Sequence, residues 1–230
     1  MKNIIGVYGS YPKIITSGGN PRINKEMIND TFIKNYVDII GKLLSIKGKI
    51  NNLKITYIGG YSNEENISRV KLYISAYNYF LKNLGYDELF KNNVYTLDTK
   101  DDINEVYNNI CNSDIIFLGI GSDQVFNDNI SFLERNNIKL NDIIDKNNSL
   151  VLTICSGSVM SGNKIYGGVY DSYYYGKEIY EYPKQINSLK FNPVTMETDF
   201  YPEDASREKT EMFIKNYLIP DSNKICFFCV

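Results

Sequence analysis

The run Leu150-Val151-Leu152-Thr153-Ile154-Cys155-Ser156-Gly157-Ser158 places a thiol, two serine hydroxyls and a glycine directly behind an apolar segment. That pattern reads as a buried strand turning sharply into a helix. Elbows of this kind present a nucleophile at the turn and aim the following backbone N–H groups at the place where an oxyanion would form. The same chain contains no histidine, although nucleophiles on such elbows ordinarily pass their proton to an imidazole. A thiol has another route, because its pKa of about 8.5 falls by units at a helix N-terminus or beside a cation. A serine hydroxyl is far less acidic and has no such route. A leaving amine also needs a proton donor. Among the chain's carboxyl groups, Asp171, Glu178, Glu197, Asp199, Glu203 and Asp204 follow the elbow in sequence. A carboxyl group serves as an acid only where burial raises its pKa; otherwise each of these is a solvated acid or a helix-dipole residue.

A second pair of thiols, Cys226 and Cys229 in Cys-Phe-Phe-Cys, has redox or zinc spacing. Its setting from Lys224 to Val230 reads as a strand, which sends the two side chains to opposite faces. No second cysteine pair and no histidine completes a zinc set, so a structural role is expected, with no metal and no cofactor.

Several elements are needed to position the elbow. Residues 13–16 (Lys-Ile-Ile-Thr), 53–58 (Leu-Lys-Ile-Thr-Tyr-Ile), 94–97 (Val-Tyr-Thr-Leu), 113–118 (Ser-Asp-Ile-Ile-Phe-Leu) and 150–154 read as strands. Between them, Ile23, Met27, Phe32, Tyr36, Ile39, Ile40 and Leu43 recur at helical spacing, as do Val70, Tyr73, Ile74, Tyr77 and Leu81. Ser62 with Glu65 forms a capping-box pattern before the second of these helices, and Gly85 ends it. Thr99 with Asp102 can cap a third, residues 124–135 make a fourth, and 203–217 a fifth. Strands alternating with helices predict an α/β fold of three layers, a mostly parallel sheet flanked by helices on both faces. No internal repeat or Pro/Ser-rich linker divides the chain, so residues 1–230 are expected to form one domain. The strands at 13–16, 53–58, 113–118 and 150–154 are all expected in that sheet. Beyond the elbow, Tyr166, Tyr170, Tyr173, Tyr174, Tyr175, Tyr180 and Tyr182 crowd a stretch with Gly167, Gly168 and Gly176. An irregular segment or hairpin is expected there, either buried on the core or acting as a lid over substrate.

Composition narrows the class. At 43% hydrophobic and 23% charged residues the chain has ordinary globular usage, and a net charge of −2 with interspersed signs gives no footprint for nucleic acid. No apolar run approaches the roughly 20 residues of a membrane span, and the Met1–Tyr8 stretch has too short an apolar core for a signal peptide. Four cysteines without disulfide-framework spacing fit a reducing cytoplasm. A small-molecule partner is therefore expected rather than nucleic acid or membrane, and an oligomer is compatible with the composition.

In open α/β sheets ligands bind beyond the carboxyl ends of the strands. Two such ends carry chemistry, the Gly119-Ile120-Gly121-Ser122 turn and the Cys155 elbow. Ile115-Ile116-Phe117-Leu118-Gly119-Ile120-Gly121-Ser122 is similar to the strand and "GGGN" turn of the dipeptidase E and cyanophycinase group of serine peptidases. Thr153-Ile154-Cys155-Ser156-Gly157-Ser158 resembles that group's "GTSAGA" nucleophile elbow, and Asp199-Phe200-Tyr201 with Arg207 falls where the group carries its catalytic histidine, an aromatic residue and a later arginine. The resemblance covers roughly residues 13–217. It implies a class I glutamine amidotransferase-like (flavodoxin-like) fold and hydrolysis of short peptides bearing acidic residues at or near the cleaved bond.

Carried onto this chain, the resemblance puts Cys155 at the nucleophile position when Gly157 is taken as the elbow glycine. The alternative register makes Ser156 the nucleophile and leaves Ile154 and Ser158 where glycine is preferred. The N–H groups of Gly121 and Ser156 become the oxyanion hole, and Ser122, Tyr173, Tyr174, Tyr201 and Arg207 candidate substrate contacts. Phe200 stands at the histidine position, which leaves Asp199 or another acid to move the proton. Three functions remain open: a peptidase E-like hydrolase, a catalytically silent relative that binds a small peptide or amino-acid derivative in the same cleft, and an amidotransferase-like cysteine enzyme.

Overall fold

A computed structural model describes residues 3–7, 14–17, 20–23, 31–46, 53–86, 93–161, 164–167, 184–186 and 195–197. The apolar runs become strands because they can be buried on both faces. β4 (Ile55–Gly60) and β7 (Leu150–Ile154) are buried at every position, and β6 (Ile115–Gly121) at all but Ile120. With β1 (Asn3–Val7) and β5 (Val94–Thr96) they form a five-stranded sheet in the order β1-β7-β6-β4-β5, every pair parallel.

Helices cover both faces. On one, α1 (Thr31–Ile46) and α2 (Asn63–Asn83) bury Val37, Ile40 and Leu44, and Val70, Tyr73, Tyr77 and Phe80, against Ile55, Phe117, Leu152 and Ile154. On the other, α3 (Ile103–Cys111), α4 (Asp123–Arg135) and α5 (Leu140–Asn147) bury Val106 and Ile110, Phe126, Ile130 and Leu133, and Ile144 against Ile58, Ile116, Leu118 and Val151. Phe117 anchors the first layer, with Tyr57, Tyr73 and Tyr77 all meeting its ring edge-on at 5.4–6.1 Å. The result is the three-layer α/β architecture that the alternating pattern predicts.

The helix ends follow local chemistry. Ser62 accepts the Glu65 N–H at 3.4 Å, and Glu64 and Glu65 sit in the first turn of α2, where acids complement the helix dipole. Asp102 caps α3 through the Asn104 and Glu105 N–H groups, and Ser122 caps α4 through that of Gln124. Gly85, at φ +87°, lets the chain leave α2.

Two sequence expectations are corrected. The strand expected at residues 13–16 is not in the parallel sheet: β2 (Ile14–Ser17) pairs antiparallel with β3 (Asn20–Ile23). A strand whose partner lies two residues away closes as a hairpin, whereas a parallel pair needs a crossover of a dozen or more residues. The edge position beside β7 is taken by β1. Ile23 accordingly lies in β3, outside the helix described at Thr31–Ile46. An unanticipated helix, α5, also precedes β7; Asn148 ends it at φ +50° in a left-handed turn.

After the elbow, α6 (Ser156–Met160) leads to β8 (Lys164–Gly167), which lies between β9 (Lys184–Ile186) and β10 (Thr195–Glu197) in a three-stranded sheet. β8 and β9 pair antiparallel, and the tyrosine-rich run between them lies outside the described residues. So do the expected helix at 203–217 and the Cys226/Cys229 strand. Among the described residues no helix is long and apolar enough to cross a membrane.

The Phe117 cluster gives a stability test. Phe117→Ala should destabilise the protein by about 3–5 kcal/mol in urea unfolding, and Phe117→Leu, which keeps much of the apolar volume, by distinctly less. An alanine variant as stable as the parent would show that this ring does not anchor the layer.

Candidate active site

β7 ends in a buried Ile154, and α6 begins two residues later, so the chain must reverse within one residue. That residue is Cys155, at φ +48°. The left-handed region costs a side chain bearing a Cβ roughly 1–2 kcal/mol, and such outliers persist where their surroundings over-determine them. The Cys155 thiol is half-buried and in no disulfide. The Ser158 N–H closes the turn on the Cys155 carbonyl at 2.8 Å, and Thr153 and Ser158 share a buried hydroxyl–hydroxyl bond, also at 2.8 Å.

Ser156 faces inward. It is buried, its hydroxyl donates to the Gly121 carbonyl at 2.8 Å, and the Ser156 hydroxyl oxygen accepts from the Gly121 N–H at 3.4 Å. The Cys155 sulfur lies 3.9 Å from this hydroxyl. One serine thus ties the elbow to the glycine turn of the neighbouring strand. Gly157 permits the approach: a Cβ there would overlap the Leu118 carbonyl. The two features read separately from sequence, the Gly119–Ser122 turn and the elbow, are joined in the structure.

The glycine turn is in turn held by β4. Gly121, at φ +145°, and Gly60 approach so closely that a Cβ on either would meet the other's backbone. The Ser122 N–H donates to the Gly60 carbonyl at 2.8 Å, and buried Asn129 donates to that of Gly59 at 3.0 Å. Buried Asn66 clamps both main-chain groups of Tyr61, donating to its carbonyl at 2.9 Å and accepting from its N–H at 3.3 Å. Beneath these turns the Tyr57 ring fills the space left by Gly59 and Gly119. Its hydroxyl is fully enclosed near the Ile120 backbone but makes no hydrogen bond among the described residues, and burial pushes its pKa far up.

The strand order adds a geometric reason for a site here. The chain passes from β4 to β5 on one side and then to β6 on the other, so the order reverses between β4 and β6. A crevice at such a switch point is the usual ligand position in open α/β sheets. Gly60, Gly121 and, one strand further on, Cys155 lie along this edge.

Of the residues expected in the site, the structure brings together Cys155, Ser156 and Gly121. Ser122 is buried with its hydroxyl used as the α4 cap. Asp199, Tyr173, Tyr174, Tyr201 and Arg207 lie outside the described residues. Glu197 ends β10, which packs beside α6. Sequence reasoning missed Tyr57, Asn66 and Asn129; the signal available was Gly59-Gly60 closing β4, a glycine turn equivalent to the one that closes β6.

No family model matches the chain, and no curated protein does. Solved structures do: 14 chains match. One is a protein of Listeria monocytogenes EGD-e named as a candidate peptidase E, 16% identical, covering 70% of this chain and 73% of its own, with a TM-score of 0.43. Another is a peptidase from an acI-B1 Actinobacterium, 11% identical, covering 79% of this chain and 69% of its own, with a TM-score of 0.48.

The tie between turn and elbow predicts a ranked pair of variants. Ser156→Ala leaves the buried Gly121 carbonyl without its hydroxyl donor and should cost about 1–3 kcal/mol in urea unfolding. Gly157→Ala, which forces two backbones apart, should cost more. An unchanged midpoint in both would rule out this contact as a structural tie.

Proposed function

We propose that the elbow and the glycine turn form the reaction centre of a peptidase E-like hydrolase that acts on short acidic peptides, with Cys155 as nucleophile. The observation that carries this reading is the backbone of Cys155, a non-glycine residue held left-handed between a buried strand and a helix, with its thiol at the ligand edge of the sheet. Ser156, the other candidate, is a poorer nucleophile here because its hydroxyl is buried and bonded to Gly121.

In this reading the Cys155 sulfur adds to the peptide carbonyl carbon, and the carbonyl oxygen becomes an oxyanion facing the Ser156 and Gly121 N–H groups. Ser156 N–H opens α6 and so has no partner within the helix. Gly121 N–H makes a long 3.4 Å contact to the Ser156 hydroxyl that it can exchange for the oxyanion, while the 2.8 Å bond to its carbonyl keeps the turn in place. The tetrahedral species expels the amine, which takes a proton from a carboxyl group, Asp199 or Glu197. Water then adds to the thioester, releasing the carboxylic acid and restoring the thiol.

The absence of histidine favours a second reading, a silent relative that binds a small peptide or amino-acid derivative at the same edge. Turnover separates the two. A hydrolase should cleave short Asp- and Glu-containing peptides, lose that activity on Cys155→Ala, and react with iodoacetamide at Cys155 faster than at Cys111 near neutral pH. Robust turnover in Cys155→Ala would refute Cys155 as nucleophile. An inactive parent that gains hydrolysis on Phe200→His would establish the silent reading instead.

A further inference from the structure

Next to the glycine turns stands a cation that the reaction scheme does not use. Tyr61 follows β4 directly, and the Arg69 guanidinium lies over its ring at 4.1 Å. The platform is fixed, because Asn66 holds both main-chain groups of Tyr61. The fork is oriented as well: Arg69 donates Nε and Nη2 to a single oxygen of Glu65, at 3.0 and 2.7 Å. That pairing uses the side edge of the guanidinium. The end edge, Nη1 with Nη2, keeps the geometry that matches a carboxylate with two parallel bonds, and Nη1 makes no hydrogen bond among the described residues. The Arg69 side chain retains 36% of its exposure, so a ligand can reach it.

An isolated Glu–Arg pair one helical turn apart is ordinarily a surface contact worth little. This one differs in its place. Its Tyr61 platform follows directly on Gly60 at the end of β4, and Gly60 meets Gly121, which Ser156 ties to the elbow. Two strand spacings separate β4 from β7, so the Tyr61 backbone is roughly 10 Å from that of Cys155. An extended peptide spans that distance in about three residues.

We infer that Arg69, stacked on Tyr61 and aligned by Glu65, is a specificity-determining residue that receives a carboxylate of the bound peptide two or three residues from the group facing Cys155. The inference takes from the proposed function only the position of the bound peptide, not the hydrolysis. The carboxylate can be an Asp or Glu side chain or the peptide's own terminus, since both present the same two oxygens.

Calorimetric binding to the Cys155→Ala protein tests this without turnover. Three tripeptides serve as probes: one with an internal Asp and an amidated C-terminus, its Ala analogue also amidated, and the Ala analogue with a free terminal carboxylate. Arg69→Lys, which keeps the charge and loses the fork, and Arg69→Gln should each weaken binding of the carboxylate-bearing probe at least about tenfold and leave the amidated Ala probe unchanged. Whichever of the two carboxylate probes is affected identifies the source. Equal binding of all probes to parent and variants would overturn the inference, as would loss of the neutral probe together with the charged ones, or failure of the parent to bind any of them. Parent protein that shows the selective pattern but no hydrolysis would refute the hydrolase reading while leaving the role of Arg69 standing.

Discussion

Everything at the carboxyl edge of the sheet depends on three main chains approaching without side chains between them. Gly60, Gly121 and Gly157 each stand where a Cβ would overlap a neighbour's backbone. Their contacts run in sequence from β4 to β6 to the first turn of α6. The constraint is steric before it is electrostatic. Once the backbones are this close, polar groups that would otherwise face water must be satisfied within the protein. That is what the Ser156 hydroxyl, the Ser122 N–H and the Asn66 and Asn129 amides do.

The same arrangement explains how the elbow tolerates its conformation. A left-handed cysteine costs about 1–2 kcal/mol, and one hydrogen bond returns about 1 kcal/mol. The Ser156–Gly121 and Ser158–Cys155 bonds together are of the right size to offset that cost, with the buried strand before them fixing the entry. Rigidity of this kind suits a site in which backbone donors are aimed in advance, because such donors need no rearrangement as charge develops.

The central strands were legible because burial on both faces leaves an uninterrupted apolar run; β7 coincides with residues 150–154 as read from the sequence. Caps were legible for a local reason, since Ser62 and Asp102 act on amides two or three residues away. Partnership was not. Ile14–Ser17 has strand character, but nothing in its residues says that it pairs with Asn20–Ile23 rather than with the sheet. Asn3–Val7 is short and carries Gly6, and only its pairing with β7 makes it a sheet strand. The site divides the same way. Cys155, Ser156 and the Gly119–Ser122 turn announce themselves by sequence pattern, whereas Tyr57, Asn66 and Asn129 act on backbone atoms of other residues and carry no motif.

The pairing of β1 with β7 also bears on how the molecule assembles. Asn3 meets Leu150, so the strand that carries the elbow takes its two neighbours from distant parts of the chain, β6 and the first strand. Contacts of such long sequence separation are slow to form, because a large loop must close before any interaction rewards it. Until β1 docks, Leu150–Ile154 presents an apolar open edge of the kind that invites pairing with another chain.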